Sequence, residues 1–289
     1  MHFTLLLTIT LLIVNNLVHA LPVAKRSSGS LWGITYTAKN PDGSCQSADQ
    51  VAEAVGRMKQ NGILNIRTYS QECDQLPNIL SAIEKQGGGM TVMAAAWLDG
   101  SSGDEEEIST LVSNVKKANK EYIYGVTVGN EAVFNGMSAS DVANKINEVK
   151  SKLKGFKVGT VETPNTYESS LIDASDIVVV NIHPFFAPVP ASDAVENLQQ
   201  QYDAFKKKAG GKDIIIGEFG WPTAGDDNGD AQPGVSDLAT VVESLEKSNL
   251  KYYFFEYQDS DWKGEGAFAV ESHWGIFNDK GKSKISEFH

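Results

Sequence analysis

Short apolar, β-branched runs alternate with longer stretches of helical periodicity from Trp32 to Tyr257. The apolar runs are Trp32–Thr37, Ile63–Tyr69, Met90–Trp97, Ile123–Gly129, Lys157–Val161, Ile177–Ile182, Asp213–Glu218 and Tyr252–Tyr257. They are apolar almost continuously rather than at every second position, as strands of a parallel sheet covered on both faces should be. Between them, Ser47 is placed to cap a helix over Ala48–Gln60, in which Val51, Ala54, Val55 and Met58 share one face. Further helices are predicted over Leu76–Gln86, Asp104–Lys120, Ser138–Lys154, Ala191–Ala209 and Val235–Asn249. The acidic run Asp104–Glu107 reads simply as a favourable helix start, where the macrodipole attracts negative charge. The connection after the fifth strand is only weakly helical, and no strong helix follows the eighth.

Eight β-α periods fit either a closed barrel of about 250 residues or a doubly wound open sheet. The open sheet calls for a Gly-rich phosphate loop after the first strand, and Ala38-Lys39-Asn40 stands there instead. The predicted fold is therefore α/β, a single (β/α)8 TIM barrel. No linker or composition break marks a second domain.

The N-terminus precedes this pattern. Phe3–Val14 is apolar but too short to span a bilayer, and Val18-His19-Ala20 offers small residues for cleavage. Lys25-Arg26 resembles a dibasic processing site. We therefore expect a secretory signal peptide over 1–20, a pro-segment over 21–26 and a catalytic domain over 27–289. The polar C-terminus and the lack of any Asn-x-Ser/Thr sequon predict neither a lipid anchor nor an Asn-linked glycan. A secreted product, extracellular or wall-bound, is expected. In that oxidising setting the only cysteines, Cys45 and Cys73, should form a disulfide.

The chain holds 25 Lys and Arg against 37 Asp and Glu, a net charge of −12. Residues 1–26 contain two of the basic residues and none of the acidic ones, so the remainder stands at −14. Such a field repels nucleic acid and anionic membranes. An uncharged partner suits it better, and a monomer is expected.

In a barrel of this kind chemistry collects at the C-terminal ends of the strands. Those ends carry Tyr36, Arg67-Thr68-Tyr69, Trp97, Asn130-Glu131, Glu162, His183, Phe185-Phe186, Glu218, Trp221, Glu256-Tyr257 and Asp261-Trp262. His183 is the only strand-end histidine, so no metal or other cofactor is expected. Carboxylates framed by aromatic rings suit a sugar, whose C–H faces pack on rings while acids and amides bind its hydroxyls. Glu131 and Glu218, after the fourth and seventh strands, can converge over the barrel mouth. Two carboxyl groups suffice for glycoside hydrolysis if their surroundings separate their pKa values. Asn130 is placed to bind a sugar 2-hydroxyl.

Four segments carry a resemblance: Gly33-Ile34-Thr35-Tyr36, Ile66-Arg67-Thr68-Tyr69, Val128-Gly129-Asn130-Glu131-Ala132 and Gly217-Glu218-Phe219-Gly220-Trp221-Pro222. The chain is similar to glycoside hydrolase family 17, in its fungal branch of wall-associated glucanases and β-1,3-glucanosyltransferases. Glu131 then corresponds to the acid/base and Glu218 to the nucleophile of a retaining enzyme, with carboxyl groups about 5–5.5 Å apart. The resemblance implies a raised pKa for Glu131, an Arg67 that keeps Glu218 ionised, and β-1,3-glucan as the partner. Tyr36, Tyr69, Trp221 and Tyr257 become candidate sugar contacts, and Glu162, Glu256 and Lys263 candidate hydroxyl ligands. His183 is either a hydroxyl ligand or a core histidine. Plant members of that family carry a longer insertion where His183–Pro190 passes almost directly into the next helix, which implies a groove open or truncated on the acceptor side. Water or a second glucan can resolve the glycosyl intermediate. A non-catalytic glucan-binding barrel and a β-1,4 or β-1,6 specificity are the alternatives.

Overall fold

The continuous apolar runs form eight parallel strands in the computed structural model of the chain, which describes residues 31–286 and 288. The expected signal peptide and pro-segment lie outside the described residues. The strands are β1 (Gly33–Thr35), β2 (Asn65–Arg67), β3 (Thr91–Ala96), β4 (Ile123–Asn130), β5 (Val158–Glu162), β6 (Val178–Asn181), β7 (Ile214–Phe219) and β8 (Tyr252–Phe254). Each pairs with its neighbour in sequence, and Ile34 of β1 pairs with Phe254 of β8 to close the barrel. Each predicted run coincides with a strand, and β4, β5 and β7 each extend one residue past the predicted end.

Around the barrel lie α1 (Ala48–Gln60), α2 (Gln75–Lys85), α3 (Asp104–Lys117), α4 (Ala139–Lys152), α5 (Ser169–Ala174), α6 (Ala194–Lys208) and α7 (Val235–Glu246). α1 begins in a reciprocal cap: Ser47 Oγ accepts the Gln50 N–H, and Gln50 Oε1 accepts the Ser47 N–H. Its buried face is Val51, Ala54, Val55 and Met58, as the periodicity predicts. α6 starts three residues later than expected because Ala191–Asp193 forms a 3-10 turn. Short 3-10 turns at Asp261–Lys263 and Ala267–Ala269 take the place of an eighth helix. Helix faces and strands share one apolar layer. A smaller cluster of Met93, Val161, Ile177, Val179, Ile215 and Tyr253 fills the barrel, with Trp32 packed edge-on against Tyr253.

Irregularities in the ladder position the two glutamates. Between Thr127 and Asn130, β4 advances three residues while β5 advances two, so β4 carries one extra residue just before Glu131. β7 likewise carries one extra residue relative to β6 between Ile216 and Glu218. An extra residue bends the strand and re-aims the side chains beyond the bend. Glycine makes both bulges feasible. Gly129 has φ +86°, and a Cβ at Gly217 would come within 2.6 Å of Asn181 Oδ1 and 2.8 Å of Val179 Cγ1.

The expected Cys45–Cys73 disulfide is present and ties the loop after β1 to the loop after β2 across 28 residues of sequence. Closing a loop of that length in the unfolded chain is worth about 3–4 kcal/mol. Replacing both cysteines by serine should lower the unfolding free energy by that order, measured by urea titration. An unchanged midpoint would contradict this role.

Candidate active site

Arg67 closes β2 with its side chain wholly buried. Its NH1 donates to the Gly217 carbonyl and to Glu218 Oε1, both at 2.9 Å, and its NH2 donates to Asn130 Oδ1 at 2.5 Å. One guanidinium thus joins the ends of β2, β4 and β7. The Tyr69 ring covers its face, with Cζ 4.6 Å from the ring centroid. The other Glu218 oxygen meets His183 Nε2 at 3.0 Å. The His183 ring stands edge-on to Phe255 and Trp274, at 5.5 and 5.2 Å. Burial alone would raise the Glu218 pKa. The His183 hydrogen bond and the Arg67 charge outweigh it and bring the value down to about 2.

Glu131 stands in the opposite condition. It follows the β4 bulge in the left-handed region, at φ +53°, sparsely populated by residues other than glycine. Its N–H is anchored on the Val161 carbonyl at 2.8 Å. Burial raises its pKa and the negative charge of Glu218 raises it further, against one hydrogen bond from Asn181 Nδ2 at 2.9 Å. The site therefore sets one carboxylate held ionised near a carboxyl group whose surroundings favour the protonated form. That pairing can deliver a proton to one side of a bond while a nucleophile attacks the other.

A cleft of about 570 Å³ runs from Asn130 and Glu218 towards the loops of β1, β2, β3 and β8. Trp97 and Trp262 line it, each 40% exposed, while Tyr69 and Phe255 form part of its floor. Lys263 reaches into the cleft, pairs with Glu256 at 2.7 Å and lies 4.3 Å from the Phe255 ring centroid. Lys39 pairs with Glu72 at 2.7 Å and sits 4.8 Å from Trp262.

The structure thus brings Glu131, Glu218, Arg67, Tyr69, Asn130 and His183 together and sets Lys263, with Glu256 beneath it, at the cleft. Four other residues are buried and do not line the cleft. Tyr36 is buried, donates its hydroxyl to Gln46 and packs edge-on against Tyr257. Tyr257 accepts a hydrogen bond from Arg57 NH1 at 2.5 Å, on the outer side of the barrel wall. Trp221 is fully buried against Phe185, its indole N–H spent on the Gln232 carbonyl. Glu162 faces protein: it accepts the Val133 N–H, the Phe134 N–H and the Thr166 hydroxyl, and so pins the turn that follows Glu131. Position at a strand end does not by itself turn a side chain towards the cleft. The acidic helix start also does more than expected. Glu107 accepts the backbone N–H groups of Gln71 and Trp97, holding the loops after β2 and β3 together.

Asn181, Phe255 and Trp274 belong to the site although the strand-end pattern does not mark them. Asn181 lies two positions before His183, and strand alternation puts such residues on one face. Trp274 follows β8 in a stretch without periodicity, and no sequence signal marks it.

Replacing Arg67 by Met should leave Glu218 buried beside one partner fewer and cost about 3–5 kcal/mol of stability. Pairing that lowers a pKa stabilises above the unfolded value and is lost as pH falls through the folded one. The deficit should therefore be largest near neutrality and shrink in acid, as urea titrations at several pH values would reveal. A deficit independent of pH would show that the charge pairing is not its origin.

Among the described residues no cluster of His, Cys, Asp and Glu could hold a metal ion, and no helix is long and apolar enough to cross a membrane. Comparison with known proteins places this arrangement. The protein-family model for the BtgE/BtgC glycoside hydrolase domain matches residues 33–275. The probable beta-glucosidase btgE of Aspergillus fumigatus is 35% identical over 256 residues, 85% of this chain and 45% of that protein. The protein of the same name from Aspergillus oryzae is 35% identical over 87% of this chain and 43% of its own length. The chain thus spans less than half the length of these relatives. In three dimensions it resembles the glycoside hydrolase family 17 beta-1,3-glucanosyltransferase of Rhizomucor miehei, with a TM-score of 0.80, 23% identity, and 91% and 98% of the two chains covered. An active-site mutant of the Rhizomucor miehei beta-1,3-glucanosyltransferase, in complex with laminaritriose, gives a TM-score of 0.81 at 22% identity, over 91% and 98% of the chains. With most of its length matched by that family model, and with relatives above 30% identity, the chain belongs to the BtgE/BtgC glycoside hydrolase domain family.

Proposed function

We propose that this chain is a retaining β-1,3-glucan-active hydrolase and transglycosylase of the glycoside hydrolase family 17 type, secreted to remodel wall glucan. The observation that carries the reading is the pair of oppositely shifted carboxyl groups at the head of an aromatic cleft. Glu218, held ionised by Arg67 and His183, attacks the anomeric carbon and forms a glycosyl ester. Glu131, held neutral, gives its proton to the departing oxygen. In the second half of the cycle Glu131 accepts a proton from the incoming hydroxyl, which displaces Glu218. Asn130 spends its carbonyl oxygen on Arg67 and Asn181, which leaves its Nδ2 to donate to the sugar 2-hydroxyl.

The leaving group must lie against the acid. The cleft is lined by Glu218 and Asn130 and by the loops of β1, β2, β3 and β8 but not by Glu131, so the donor glucan fills it and the acceptor lies on the other flank. That flank presents Phe134, Phe186 and Phe268, with 61, 42 and 38% of their surfaces exposed. The short passage after β6 thus supplies an aromatic face in place of a longer wall. Rings that pack on a sugar favour a second glucan over water, which supports transfer as a substantial outcome. The name of the btgE relatives suggests glucose release, but a cleft lined at a distance by Trp97 and Trp262 suits a chain better than a terminal sugar.

Glu218→Gln should abolish turnover of laminari-oligosaccharides, and Glu131→Gln should reduce it by about 10²–10⁴-fold, with folding intact by circular dichroism. Wild-type-like rates in either variant would refute the assignment. kcat/KM should fall in acid as Glu218 protonates and in base as Glu131 ionises. Product sizing separates the outcomes: chains longer than the substrate report transfer, shorter ones hydrolysis, and glucose alone an exo-acting glucosidase. Phe186→Ala should lower the ratio of transfer to hydrolysis, and an unchanged ratio would remove the aromatic flank from the acceptor role.

A further inference from the structure

Asn181 ends β6 and is 2% exposed. Its amide is buried against Glu131 and Asn130. Its backbone pairing and its amide nitrogen fix its position. In the ladder it is the partner of Glu218 at the β7 bulge, and its Oδ1 occupies the space that any side chain at residue 217 would need. Its Nδ2 then donates twice, to Glu131 Oε1 at 2.9 Å and to Asn130 Oδ1 at 3.2 Å.

The orientation of this amide follows from the chemistry around it. Turned over, it would set a carbonyl oxygen against Asn130 Oδ1, whose own orientation is fixed by donation from Arg67. Nδ2 therefore faces Glu131. A neutral carboxylic acid has unlike oxygens, a good acceptor and a hydroxyl that carries the proton. An amide N–H on Oε1 selects Oε1 as the acceptor and leaves the proton on Oε2. We propose that Asn181 is a positioning residue that fixes the acidic proton of Glu131 on Oε2 for delivery to the leaving group, an inference that rests on the acid role given to Glu131 under the proposed function. Once Glu131 has lost that proton, the same bond is charge-assisted and stronger, so Asn181 also steadies the base form for the second step. The charged and titratable groups facing Glu131 are Glu218 from β7, His183 beyond β6 and Glu162 from β5, with Arg67 of β2 reaching it through Asn130. Asn181 is the neutral donor among them.

The test compares two donors, a laminari-oligosaccharide and an aryl laminaribioside whose 2,4-dinitrophenolate departs without protonation. Asn181→Ala should lower kcat on the oligosaccharide by about 10–100-fold, a part of what general acid catalysis supplies, with KM little changed. On the aryl substrate the glycosylation step should lose less than about threefold. The basic limb of the pH profile on the oligosaccharide should move to higher pH, because a donor that favours ionised Glu131 has gone. Asn181→Asp keeps the side-chain shape should the alanine variant fold poorly. It replaces the donor with an acceptor or a negative charge, so it should show the same leaving-group dependence and a further rise of the basic limb. Equal losses on both substrates, or an unmoved basic limb, would overturn the proposal. Glu131→Gln on the same substrates separates the layers. Without leaving-group dependence there, the acid assignment itself fails; with it there but not at Asn181, only the role of Asn181 fails.

Discussion

A buried cation with no equal in the described core governs this site. Arg67 sits inside the barrel without contact with solvent, and removing a guanidinium from water costs several kcal/mol unless neighbours replace what water supplied. Here the Gly217 carbonyl, the Glu218 carboxylate and the Asn130 amide supply it at the two terminal nitrogens, and the Tyr69 ring covers the guanidinium face. Each of them is thereby located. The charge that would be a liability elsewhere sets where three strand ends must lie, and it holds Glu218 ionised in surroundings whose burial alone would favour the neutral form.

The second carboxyl group gets its opposite state from the same construction. Glu218, kept negative, raises the pKa of Glu131, which burial has already pushed up. A hydrogen-bonded sequence runs from Glu131 through Asn181 and Asn130 to Arg67 and Glu218. The two groups are thus electrostatically opposed and mechanically connected. Their aim depends on one extra residue in each of β4 and β7, tolerated because glycine occupies Gly129 and Gly217.

Much of this was legible in the sequence, for physical reasons that also explain the gaps. Continuous apolar runs and helical periodicity announce burial, so the eightfold order could be read directly. Glu131, Glu218, Asn130 and Arg67 were legible because a charged or amide side chain at the end of an apolar strand more often turns to the barrel mouth than into the core, although Glu162 turned instead to the N–H groups beyond β4. Tyr36, Trp221 and Tyr257 were not, because an aromatic ring is equally at home in a core, and only packing decides. Trp221 gave its indole N–H to a loop carbonyl, and Tyr257 went to Arg57. Asn181 was hidden in plain alternation with His183. Trp274 depends on the path of a segment with no periodicity at all.

The barrel closes where its two ends meet, and β1 and β8 share one paired position there, Ile34 with Phe254. Thr35 adds to it by donating to the Phe254 carbonyl and accepting the Tyr257 N–H, and loops extend the seam: Trp262 donates its N–H to the Pro41 carbonyl, Gln258 donates to the Lys39 carbonyl, and Lys39 lies over the Trp262 ring. The same loops form one wall of the cleft, while Trp97 stands on the far side of β2. A polymer lying between the two tryptophans would act as a clasp across the join between the beginning and the end of the chain. Occupancy and closure are then linked equilibria, so a ligand that fills the cleft also makes the chain harder to unfold.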